Sequence, residues 1–90
     1  MPKFLIERPV PGVGQMSPMD LKGLSQKSCD VLREMGPRVV WQQSYVTDDK
    51  IFCVYIADSE QDVLEHARKG GFPANPVSVV RAVIDPATAG

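Results

Sequence analysis

The chain has no block of like charge: 10 Lys+Arg stand against 11 Asp+Glu, for a net charge of -1. Nucleic-acid binding usually needs a basic face, so this balance argues against it. No apolar run nears the roughly 20 residues of a membrane-spanning helix. The stretch Met1-Pro-Lys-Phe-Leu-Ile-Glu-Arg8 lacks the long apolar core and cleavage site of a secretory signal. Cysteine is scarce: Cys29 and Cys53 stand alone, with no Cys-x-x-Cys or Cys/His finger spacing. These absences lead us to expect a cytoplasmic protein with reduced thiols, no membrane and no nucleic-acid partner. Gly12-Val-Gly14 is not followed by Gly-Lys-Ser/Thr, which excludes a phosphate loop. No nucleophile motif surrounds a serine.

What the chain does contain is a set of short, well-punctuated elements. Its 90 residues predict one small domain spanning 1–90, with 86–90 as a loose tail. Lys3 to Arg8 reads as a strand, ended by Pro9-Val-Pro-Gly. Ser17 suits a helix N-cap, with Pro18 first and Asp20 third. Leu21, Leu24, Ser28, Val31, Leu32 and Met35 then recur at helical spacing until Gly36-Pro37. Val39 to Val46 and Ile51 to Ala57 are β-branched and aromatic, and Thr47-Asp48-Asp49-Lys50 between them makes a hairpin turn. Ser59 begins a second helix whose inward residues read as Val63, Leu64 and Ala67, with Gly70 as its left-handed end. Phe72 to Pro76 reads as a loop and Val77 to Ile84 as a last strand. The order strand-helix-strand-strand-helix-strand predicts an α+β, ferredoxin-like βαββαβ fold, an antiparallel sheet with two helices on one face.

A sheet with one wet face should alternate apolar and polar residues. Here Phe52, Val54 and Ile56 are apolar on one side, and Ile51, Cys53 and Tyr55 on the other. Two short helices can cover only one side. A second copy of the same sheet is the simplest cover for the other, so we expect a homodimer of the dimeric α/β-barrel type, joined through the sheet face.

Several residues suit chemistry as well as structure. His66, the single imidazole, follows Asp62 by four positions on one helix face, and such a pair can give two ligands to a divalent cation. The plainer reading is a boundary histidine, about 110° from the centre of the apolar stripe, paired with Asp62. Asp48 and Asp49 suit a turn, and adjacent carboxylates there can also take up a surface cation. Glu7 is a candidate ligand or base, or else the partner of a basic side chain. Cys53 is a small buried hydrophobe or a soft group lining a pocket. Cys29 reads as packing. Trp41 and Tyr45 are spaced to share a strand face, as core or interface.

Phe4-Leu-Ile-Glu-Arg8, Ser44-Tyr-Val-Thr-Asp-Asp-Lys-Ile-Phe-Cys-Val-Tyr55 and Glu65-His-Ala-Arg-Lys-Gly-Gly-Phe-Pro73 together resemble a family of small bacterial proteins. That family is catalogued mainly as a domain of unknown function, with some members described as nickel-binding. The likeness runs from Met1 to Pro86. It implies a ferredoxin-like dimer and a role for nickel or another divalent cation, with no organic cofactor and no catalytic residues to carry over. Glu7, Tyr45, Cys53 and His66 are the positions within the matching segments to examine.

Two functions follow. The first is non-enzymatic nickel binding or sequestration by a homodimer, with His66, Asp62, Asp48 and Asp49 as metal candidates. The alternative is a small-molecule-binding protein or cofactor-independent enzyme, with Glu7, Tyr45, Cys53, Tyr55 and His66 lining a pocket between sheet and helices, and His66 or Glu7 as acid or base. An RNA-recognition module shares the element order, but Lys50-Ile-Phe-Cys-Val-Tyr55 lacks the glycines such a strand needs.

Overall fold

The computed structural model describes residues 1–73 and 76–90; the stretch 74–75 of the expected loop lies outside them. Its four strands are β1 (Lys3–Pro9), β2 (Val39–Val46), β3 (Lys50–Ala57) and β4 (Val77–Val79), and its helices are α1 (Pro18–Met35) and α2 (Glu60–Gly70). All pairings are antiparallel, in the order β2-β3-β1-β4, which is the ferredoxin-like arrangement.

Local chemistry fixes the helix starts. The Ser17 hydroxyl accepts from the Asp20 amide at 3.1 Å, and the Asp20 carboxylate accepts from the Ser17 amide at 3.3 Å, a reciprocal capping box behind Pro18. Ser59 caps α2 through the Asp62 amide at 3.3 Å. The core lies between the helices and one sheet face. Phe4 and Ile6 of β1, Ile51, Cys53, Tyr55 and Ala57 of β3, and Val31 and Met35 of α1 are all buried there.

Four expectations change. First, β4 stops at Val79 rather than reaching Ile84. The Val80 amide still bonds the Lys3 carbonyl at 2.8 Å, but β1 begins at Lys3, so the residues after Val80 have no strand left to pair with. Val83 and Ile84 are accordingly exposed.

Second, Trp41 and Tyr45 do not share a face. The register slips between Trp41 and Gln43, so Trp41 pairs with Tyr55 on the helix side and Tyr45 with Phe52 on the other. One bulged residue, Gln42, inverts the expected phase.

Third, Gly71 rather than Gly70 takes the left-handed turn, at φ 68°. Gly70 is helical and buried, and a Cβ on it would meet the Phe72 ring at 2.2 Å. Its missing side chain makes room for that ring.

Fourth, the buried stripe of α2 is Val63, His66, Ala67 and Gly70, a run at spacings of three and four. His66 is therefore at the centre of the stripe and fully buried, not at its boundary. A stripe drawn through Leu64, which is only half-buried, is rotated away from the real one.

Candidate functional site

The two-residue period of β1 that buries Phe4 and Ile6 also turns Arg8 inward, where it is 4% exposed. Arg8 Nε donates to Cys53 Sγ at 3.4 Å and Nη2 to the Tyr55 hydroxyl at 3.2 Å, while Nη1 donates to the Pro73 carbonyl. The guanidinium carbon lies 5.4 Å from the Phe72 ring centroid and 5.9 Å from that of Tyr55. Every one of these partners is neutral. Among the described residues no carboxylate pairs with Arg8: Glu7 pairs with Lys50, and Asp62 and Glu65 with Arg38. A desolvated cation without an anion is a costly arrangement.

Arg8 faces a cleft of about 430 Å³ between α1 and the helix side of the sheet. Leu21 and Leu24 of α1, Trp41 of β2, Ile51 of β3, and Val10 and Phe72 of the flanking loops make its apolar walls. Lys27 stands beside it, its ammonium 5.4 Å from the Phe72 centroid. Burial pushes the Tyr55 phenol up to about 12, against the pull of the Arg8 charge. Tyr55 therefore stays protonated at neutral pH, accepting from Arg8 and keeping one O–H to donate.

Next to this group, the His66 ring lies 5.2 Å from Tyr55 and 5.7 Å from Phe72, centroid to centroid. Its Nε2 sits 3.2 Å from the Ser28 hydroxyl, and Nδ1 has no partner among the described residues. Burial lowers the His66 pKa from its ordinary 6.5; a hydrogen bond with the Ser28 backbone opposes this and the Arg8 charge adds to it. The unfolded chain thus takes up this proton at higher pH than the folded one does. Stability should fall as pH drops through about 6.5 and level off below the folded-state value. Melting temperatures measured from pH 7 to about 5 are expected to slope this way in the wild type and to flatten in His66→Gln. An unchanged slope in the variant would assign the titration elsewhere.

The structure gathers Cys53, Tyr55 and His66 on the helix side of the sheet. Glu7 and Tyr45 lie on the opposite face, where Glu7 Oε1 accepts from Lys50 at 2.8 Å and Tyr45 is 56% exposed. Asp62 does not meet His66: its carboxylate accepts from Arg38 Nη1 at 3.1 Å and from the Ser59 hydroxyl at 3.2 Å. Asp49 is taken up by the Gly12 amide at 2.9 Å, which ties the loop after β1 to the hairpin turn. Asp48 is exposed in the same turn. Arg8, Ser28 and Phe72 were not singled out from the sequence. For Arg8 the signal was available, because it continues the Phe4, Ile6 phase of β1.

This order of elements, with a cleft on the helix side, defines the chain as a ferredoxin-like α+β protein. The family described as nickel responsive protein SCO4226-like matches residues 4–80, and the chain belongs to it. The crystal structure of SCO4226 from Streptomyces coelicolor A3(2) superposes with a TM-score of 0.76 at 16% identity, covering 91% of this chain and 99% of that one. At that identity the likeness bears on the fold. No curated protein matches the chain.

The family's description raises nickel, and the donors present do not fit a nickel centre within one chain. Among the described residues no three His, Cys, Asp or Glu side chains converge. His66 is enclosed by aromatic rings and Ser28, and the Asp62 carboxylate is already bound to Arg38.

Proposed function

We propose that the protein is a non-enzymatic small-molecule-binding module that acts as a homodimer, with the helix-side cleft as its binding site. Arg8 carries this reading. A buried cation with only neutral partners, at the wall of an apolar cleft of ligand size, is the kind of group that fixes a ligand's orientation. Glu7, one of the two alternative acid or base residues, lies on the sheet face away from the cleft, and His66, the other, is fully buried against Tyr55, Phe72 and Ser28. Neither lines the cleft, which supports binding without turnover.

Filling the cleft is the test. Small fragments that raise the melting temperature of the wild type are expected to lose that effect in Leu24→Trp, which places an indole in the cleft. Fragments that stabilise both proteins equally would contradict the cleft as the site.

The open sheet face supports the dimer. Leu5 and Val40 are 38% and 45% exposed there, beside half-buried Phe52, Val54 and Ile56. A contiguous apolar face of this kind favours association.

A response to nickel and a nickel site are separate claims. Calorimetric titration of tag-free protein is expected to show no micromolar nickel event that His66→Ala abolishes, and such an event would overturn this reading of His66. The sequestration reading that remains uses surface carboxylates. The Asp48 side chain is exposed and makes no hydrogen bond among those of the described residues. Nickel binding that survives His66→Ala and falls in Asp48→Asn would place the ion at the β2–β3 turn.

A further inference from the structure

We infer that the cleft takes an amphipathic monocarboxylate, with its carboxylate on Arg8 and its aryl or alkyl body between Leu24 and Trp41. This rests on the cleft being the binding site and adds the chemical class of ligand. A guanidinium has five N–H donors. Arg8 spends one on Cys53 Sγ, one on the Pro73 carbonyl and one on the Tyr55 hydroxyl, which leaves one on each Nη among the described partners. The thiol, carbonyl and phenol position the fork without cancelling its charge. The Tyr55 hydroxyl, still protonated, is a further donor at the same wall. Guanidinium and phenol together present donors and one positive charge, and among the described residues no carboxylate answers them. A carboxylate supplies two acceptor oxygens and the missing charge.

The rest of the cleft sets the other end of the ligand. Beyond Arg8 and Tyr55 its walls are chiefly aliphatic and aromatic, and about 430 Å³ holds a body the size of a phenylalkyl chain. Lys27, beside Phe72, adds positive potential near the cleft without being buried in it. An anion is therefore drawn in, while most of the wall that meets the ligand's body is apolar, with Ser25, Ser28 and Ser44 as the neutral hydroxyls among it.

Calorimetry with 3-phenylpropanoate and its neutral isostere 3-phenylpropanamide tests this, on the wild type and on Arg8→Gln. The wild type is expected to prefer the carboxylate by about tenfold or more, the scale of a hydrogen bond to a charged group. In Arg8→Gln, with folding checked by circular dichroism, the two ligands should bind alike. Equal binding of both by the wild type would overturn the carboxylate assignment while leaving the cleft as a binding site. A preference that persists in Arg8→Gln would overturn the role of Arg8. If neither compound binds and Leu24→Trp alters no fragment's effect, the cleft reading fails and this inference with it. The wild-type comparison needs no variant, so it decides the ligand class even where Arg8→Gln fails to fold; Arg8→Lys, which keeps the charge, should then retain the preference.

Discussion

Replacing Ile6 by alanine is expected to lower the melting temperature by about 10–25 °C at fixed protein concentration. Ile6 is fully buried in β1, the strand that pairs with both β3 and β4. Removing its side chain loses the transfer free energy of three methyl or methylene groups and leaves a cavity, together about 2–5 kcal/mol. A domain of this length has roughly 5–13 kcal/mol in all. The effect should extend beyond stability. Ile6 lies between Phe4 and Arg8 on the helix side of the strand, so a collapse there disturbs the residue that holds the guanidinium in place. Differential scanning calorimetry checks the first part, and ligand affinity at a temperature where the variant is folded checks the second. A shift below about 3 °C would mean that the core around β1 is not packed as described.

Replacing Val54 by lysine is expected to turn a dimer into a folded monomer. Val54 is central to the open sheet face, opposite Leu5 on one side and Gln43 on the other. A second copy docked on that face would bring two such lysines into an apolar interface. Charge set against like charge costs several kcal/mol, so the dimer dissociation constant should rise about a hundredfold or more. The helix-side core is untouched, and far-ultraviolet circular dichroism should not change. Analytical ultracentrifugation at micromolar concentration reads the outcome. A wild type that sediments as a monomer, or a lysine variant that still sediments as a dimer, would contradict association through this face.

Much of this fold was legible because local signals agreed. Ser17-Pro18 and Ser59 set the helix starts, Gly36-Pro37 set one stop, and the Asp48-Asp49 turn set the hairpin. The site was less legible, for three physical reasons. Strand pairing sends residues to alternate faces, so Glu7 and Cys53, which both looked available, end on opposite sides. A single bulge reverses the phase within β2, which no residue count predicts, and it separates Trp41 from Tyr45. In α2, two small residues, Ala67 and Gly70, let the helix approach the sheet on the side that carries His66. Drawing the stripe through Val63, Leu64 and Ala67, with Gly70 as the helix end, moved His66 to its edge and made it look like an accessible ligand. Arg8 stands at a strand end, where a charged residue is usually solvated, whereas here it continues the buried phase.

The most direct test is a two-dimensional amide spectrum of the wild type titrated with 3-phenylpropanoate. Saturable shifts centred on Arg8, Leu24, Ser28, Tyr55 and Phe72 are the expected result, with Leu5, Val54 and Asp48 unmoved. Shifts confined to the open sheet face or the β2–β3 turn, or none up to millimolar ligand, would contradict a binding site on the helix side of this sheet.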